Sequence, residues 1–347
     1  MVVPRDAAQE APDYLGDLRM WPLIKLLPEK TNFKYVVFAP LLMLLSLAAC
    51  IASLYLTVWP LTPPCGGLNC GVDFKGGSLI EFSTDRPLDI GLIRGPLNDL
   101  GIGEVQVQGF SDGASAMARY ETPEGADADA TLARVQETIR QQLGQDVEFG
   151  RREVVGPKVS GELFLLGVIA LLAGIGLMLV YIWFRFGFTF GAAAVVALAH
   201  DVVLTFGLFA VTRMEFTLVA VGSILTIIGY SINDKIVVLD RVRENLRKYK
   251  RMPMKELIDL SVNETLSRTI ITGVTGLMAL GVMAYYGGEA LFAFAVSMFF
   301  GIVVGTYSSI FIAAPALTFF GVGRRDSFKS ADEKKKAKRE GEAPSIP

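Results

Sequence analysis

Ionisable side chains set inside long apolar runs are where this sequence could do chemistry. Asp201 and Asp234 each lie in a stretch almost free of other charge, and Arg268 opens a third. A charge at the centre of a bilayer costs about 2.5 to 3.5 kcal/mol on insertion scales, so such residues persist mainly where they relay protons, carry ions or pair with one another. Asp234 precedes Arg241 by seven residues, roughly 10 Å of helix, which places it inside the apolar zone and not at its rim. Helical spacing puts Ser223, Thr226, Tyr230 and Asp234 on one stripe, with Asn233 and Lys235 beside its end, and Arg268, Thr272 and Thr275 on another. If one stretch descends and the next rises, Asp234 and Arg268 reach similar depth and are placed to pair. A proton arriving on the aspartate would then switch that attraction off, so the coupling ion expected here is the proton.

Other chemistries find no residues. The one histidine, His200, sits beside Asp201 in the same run, which excludes a Ser-His-Asp set or a histidine-rich metal site. Its side chain faces about 100° away from that of Asp201 and is expected to pack. No catalytic residue, metal or cofactor is therefore expected. Asp201 also reads as a hydrogen-bond acceptor between helices, and Arg268 as a side chain that snorkels to the headgroups.

The elements that must position these residues follow from charge segregation. Of 347 residues 52% are hydrophobic, yet 33 Lys+Arg and 35 Asp+Glu remain, with a net charge of -2 and three cysteines. That balance excludes a generally basic nucleic-acid binder and a disulfide-built scaffold. Six stretches, 35–58, 162–184, 188–211, 216–238, 268–286 and 290–320, are long and apolar enough to cross a bilayer. Lys and Arg concentrate in segment 1–34, around Arg185, between Arg241 and Lys255, and in tail 321–347, all on one side of a six-span topology. The positive-inside rule makes that side cytoplasmic, with both termini there. Leu47-Ala48-Ala49-Cys50 matches a lipoprotein cleavage box, but the apolar run continues past Cys50, so an uncleaved anchor is expected.

The segment 59–161 falls on the opposite side. Alternation and helical spacing place strands at 78–82, 104–108, 116–120 and 147–154 and helices at 90–100 and 130–143. The order β-α-β-β-α-β is the ferredoxin-like pattern, a small sheet with one face under two helices. The fold class is thus an α-helical membrane protein of six spans with one α+β ferredoxin-like domain between the first and second. Asp73, Phe74, Gly76 and Gly77 form a charged turn into the first strand, where the glycines permit backbone angles closed to other residues. Cys65 and Cys70 lie on the same outer side, where a disulfide is possible, as are two separate thiols. In the last span Ser297, Gly301, Gly305 and Ser309 form a small-residue seam that admits another helix, internal or from a second subunit.

These residues resemble the SecF family of membrane subunits of bacterial protein export, in the SecD/SecF group of the resistance-nodulation-division superfamily. The likeness is carried by Gly71-Val72-Asp73-Phe74-Lys75-Gly76-Gly77, Val155-Gly156-Pro157-Lys158-Val159-Ser160, Ala199-His200-Asp201-Val202, Gly229-Tyr230-Ser231-Ile232-Asn233-Asp234 with Asp240 to Asn245, and Ser267-Arg268-Thr269. The resemblance implies a bacterial inner-membrane protein that pairs with SecD and associates with the SecYEG channel and YajC. It implies use of the proton-motive force on preproteins that the SecA ATPase has driven into the channel. It also implies a proton pathway through Asp234 and Arg268, with Asp201, Tyr230 and Asn233 as nearby candidates. Cys70 departs from the aromatic more usual there, so the cysteine pair takes no role from the resemblance. A proton-coupled small-molecule exporter of the same superfamily and a passive assembly scaffold are the competing functions.

Overall fold

The computed structural model describes residues 31–61, 64–102, 105–110, 112–120, 127–144 and 146–320. Segments 1–30 and 321–347, with the Lys334 to Lys336 run, lie outside the described residues. In chain order the elements are α1 (Tyr35–Val58), the single turn α2 (Val72–Lys75), β1 (Gly77–Ser83), α3 (Gly91–Asn98), β2 (Gln106–Gly109), β3 (Ser115–Tyr120), α4 (Ala128–Leu143) and β4 (Glu148–Val155). Then come α5 (Pro157–Phe186), α6 (Phe188–Thr212), α7 (Leu218–Lys248), α8 (Met254–Tyr286) and α9 (Gly288–Ser308), which continues through a π-helical turn, Ser309–Ala313, into α10 (Ala314–Phe319).

Six helices are long and apolar enough to span a bilayer, among them α9 with its continuation. The burial of their most apolar windows separates two sets. Those of α6, α7 and α9 with its continuation are 50%, 56% and 44% buried, against 22%, 6% and 17% for α1, α5 and α8. The first three form the centre of the bundle and the others its rim, whose outward Leu, Ile and Val side chains suit lipid. Helix α7 runs ten residues past the apolar limit at 238, and α8 starts well before 268. Nothing in 239–248 breaks a helix, and Pro253, the N-cap of α8, is the first residue that does. Asn245 donates to Ser261 Oγ at 3.0 Å and to Glu264 at 2.7 Å, tying the two extensions together.

The small-residue seam is internal. A Cβ on Gly301 would overlap Ile227, and one on Gly305 would come within 2.9 Å of Ser231 Oγ, so α9 approaches α7 as closely as glycine allows. Ser297 and Ser309 on the same helix bond their own backbone, to Phe294 O and Thr306 O.

Between α1 and α5 the four strands form one antiparallel sheet in the order β2-β3-β1-β4. Helices α3 and α4 cover one face, burying Ile80, Phe82, Ile93, Leu97, Val135 and Ile139 in a shared core. This is the expected ferredoxin-like arrangement, with element ends shifted by a residue or two. The other sheet face carries Glu81, Gln108, Met117 and Arg151 and looks onto the α6–α7 turn and the start of α9 across a cavity of about 240 Å³. The turn at Asp73 to Gly77 is one helical turn, and Gly76 and Gly77, with φ of 76° and 110°, redirect the chain into β1.

Candidate functional site

Helices α6, α7 and α9 meet around a fully buried lysine. Lys235 donates to Asp201 Oδ2 at 2.6 Å, to Ser308 Oγ at 2.9 Å and to Ser231 Oγ. An ammonium has three donors, and here all three are used. Asp201, wholly buried, accepts at Oδ2 from Lys235, Ser231 and Ser308, while its Oδ1 lies 2.9 Å from His200 Nδ1. A carboxylate accepts only, so Nδ1 carries the imidazole proton, and Nε2 is buried without a hydrogen-bond partner among the described residues. The 3.6-residue repeat explains the gathering on α7, since Ser231 and Lys235 are one turn apart. On the third wall, Ser308 ends α9 just before its π-helical turn, a widening frequent at functional sites.

Asp234 faces a different way. It is buried, at 4% exposure, and among the described residues its carboxylate receives one long hydrogen bond, from Thr306 Oγ1 at 3.4 Å. Arg268 does not pair with it: among the described residues no ion pair joins the two. Arg268 instead lines a cavity of about 390 Å³ with Asp240, Arg241, Glu244, Glu264 and Thr265, at the end of the bundle remote from the domain. The expected pairing is not made because the register in which α8 packs on α7, fixed by Arg241 with Glu264 and Asn245 with Ser261, sets Arg268 beside the charged stem of α7. The polar stripe on α7 also disperses. Ser223 and Thr226 bond their own helix backbone, at Ala220 O and Gly222 O, and the Tyr230 hydroxyl is buried without a hydrogen-bond partner among the described residues. Asn233 is exposed, and Thr275 bonds Ile271 O and Thr272 O.

The sequence sets Lys235 beside the stripe with no evident role and His200 among packing side chains, whereas the structure brings both to Asp201. The available signal was the i, i+4 spacing of Ser231 and Lys235 within an apolar run; what it lacked was the knowledge that α6 presents Asp201 to that face. Outside the bundle, Cys65 and Cys70 are joined in a disulfide and Cys50 is free on α1. Asp73 of the Gly-Gly turn accepts a hydrogen bond at 2.9 Å from the backbone N–H of Leu218, the first residue of α7.

A family model described as protein export membrane protein SecD/SecF, C-terminal, matches residues 135–322. The chain belongs to the SecD/SecF family. Among SecD/SecF proteins, it is 40% identical over 303 residues to a protein translocase subunit SecF of Rickettsia bellii (strain OSU 85-389), covering 87% of this chain and 98% of the relative. It is 41% identical over 324 residues to that of Rhodobacter capsulatus, covering 90% and 96%. Among solved structures, SecDF from Thermus thermophilus, titled a translocon-associated membrane protein, aligns with TM-score 0.75 and 30% identity over 85% of this chain and 39% of that one. SecDF in its super-membrane-facing form aligns at 0.60 and 30%, over 87% and 40%. The chain therefore spans about two fifths of each SecDF chain it matches.

Proposed function

We propose that this chain acts with a SecD partner in the bacterial inner membrane, both termini cytoplasmic, to draw on the proton-motive force in late steps of preprotein translocation. The observation that carries the reading is the contrast between two buried aspartates. Asp201 is saturated by four contacts and held as one half of an ion pair. Asp234, one residue from that pair on α7, has among the described residues only the long bond from Thr306. Protonating Asp201 would break a buried ion pair and its hydrogen bonds, whereas a proton on Asp234 displaces little hydrogen bonding.

In this mechanism an ionised Asp234 draws Arg268 out of its cavity, and protonation releases it. The arrangement described, with Arg268 among Asp240, Glu244 and Glu264, then corresponds to protonated Asp234, and the cavity is its route to the cytoplasm. Each elementary charge crossing 100 mV supplies about 2.3 kcal/mol, so a few protons suffice to shift a helix. Tyr230 and Asn233 flank the route. The domain between α1 and α5 faces the outer side, where chains leave a SecYEG channel loaded by SecA, with YajC as an accessory.

The exposed stripe Gly222, Thr226, Gly229 and Asn233 on α7 is the face that fits SecD. An exposed amide on a central membrane helix is costly against lipid, and two glycines with open space before them admit a close-packed partner helix. The decisive experiment reconstitutes the chain with SecD and measures preprotein translocation with and without a proton gradient. Asp234→Asn is expected to abolish the gradient-dependent increment, and an unchanged increment would refute the reading.

A further inference from the structure

The external domain does not hang from α1 and α5 alone. Residues 67–74 are fastened to the α6–α7 turn by backbone and side chain together. Phe216 N donates to Asn69 O at 2.8 Å and Gly71 N to Phe216 O at 3.0 Å, a short parallel pairing centred on Cys70 and Phe216. Arg213 Nη1 reaches Gly67 O at 2.9 Å, and Asn69 Nδ2 returns to Arg213 O at 3.0 Å. Gly71 is required here, since a Cβ would come within 2.5 Å of Thr217 Cγ2. The Cys65–Cys70 disulfide closes the loop that makes these contacts.

Two side chains extend this fastening, one to α7 and one to the sheet. Asp73 Oδ2 accepts from Leu218 N, taking the place of an N-cap that Thr217, whose side chain makes no capping bond, does not supply. Arg119, buried on β3, donates to Cys70 O at 2.8 Å and forms an ion pair with Glu215 in the turn. Phe74 adds an apolar contact between Phe164 of α5 and Phe216. Beside this attachment a cavity of about 240 Å³ lies between the open sheet face and the bundle, bounded by the α6–α7 turn and the start of α9, so the fastened domain has room to move.

We propose that Asp73 and Arg119 are positioning residues that fix the external domain to the N-terminal end of α7, so that displacement of this helix swings the domain over the cavity. The inference rests on the proposed function in one respect: the helix so fastened carries Asp234 roughly 24 Å further along its axis. It makes Asp73 the mechanical link between a proton event in the bundle and work on the outer side.

The test uses the full chain with its SecD partner in proteoliposomes. Spin labels carried by unnatural amino acids at exposed Gln141 on α4 and exposed Val211 on α6 report the distance between domain and bundle. Without a proton gradient the native protein is expected to give one narrow distance. Asp73→Ala and Arg119→Met should each broaden it and lose gradient-dependent translocation, while Asp73→Asn, whose amide oxygen can still accept from Leu218, should keep both. If Arg119→Met does not assemble with the partner, Glu215→Gln breaks the same ion pair from the bundle side. A narrow distance in Asp73→Ala and in the ion-pair variant would overturn the proposal, as would a broad distance with translocation unchanged. Asp234→Asn separates the two readings: it should lose translocation with the distance still narrow, and if translocation persists the proton reading falls while the distance result stands.

Discussion

At the scale of single residues, the cluster around Lys235 shows how a full charge survives in a helix interior. Its three donors meet three oxygens, and the counter-charge on Asp201 is bonded at both carboxylate oxygens. Removing one member leaves an uncompensated buried charge, whereas replacing both with neutral groups of similar volume is often neutral for stability. Lys235→Met alone is therefore expected to cost about 3–5 kcal/mol, and Asp201→Asn with Lys235→Met to recover most of it. Thermal unfolding of the purified protein in detergent, single against double variant, measures the difference. Asp234 stands apart from this economy, so neutralising it should change translocation and leave stability nearly untouched.

At the scale of elements, the hairpin joining β2 and β3 depends on one carboxylate. Asp112 accepts from the Ser115 hydroxyl at 2.7 Å and from the backbone N–H groups of Ser115 and Ala114 at 3.0 and 3.1 Å. These bonds, the Ser115 hydroxyl first, hold its carboxyl below the ordinary Asp value. A depressed value in the folded state means stability that is present above the unfolded pKa of about 3.9 and is lost as pH falls through the folded one. Hydrogen exchange of the β3 amides is accordingly expected to speed up, beyond its intrinsic pH dependence, on going from pH 5 to pH 3. Asp112→Ala should be less protected at pH 5 and show a flatter response. Nearby, burial lowers the proton affinity of Arg119 from its usual value, yet the ion pair with Glu215 keeps a charged group where the sheet meets the bundle.

At the scale of the whole molecule, a dense centre of α6, α7 and α9 is flanked by helices that bury little, and one polar, small-residue stripe on α7 remains open. If that stripe is the seat of SecD, a large side chain on it blocks assembly, while the same change on a lipid-facing helix does not. Gly229→Trp is expected to reduce copurification of SecD severalfold, and Leu177→Trp, on the exposed face of α5, to leave it unchanged. Equal recovery of SecD with both variants would place the interface elsewhere.

Six spans and a ferredoxin-like domain with its β-α-β-β-α-β order of elements were legible in the chain because apolar length and two-residue or 3.6-residue periodicity are local properties. The buried aspartates were legible for the same reason: a charge in an apolar run is conspicuous wherever the run folds. What the linear chain could not contain was which helix faces which. The pairing of Asp201 with Lys235, the turn of Arg268 away from Asp234 towards the stem of α7, the closing of the glycine seam on Ile227 and Ser231, and the capping of α7 by Asp73 across 145 residues all join positions far apart in sequence. Local pattern determined which residues must be buried and on which face of their own helix they stand. Only tertiary packing, in which a buried charge must find its counter-charge on another element, decided whom they meet.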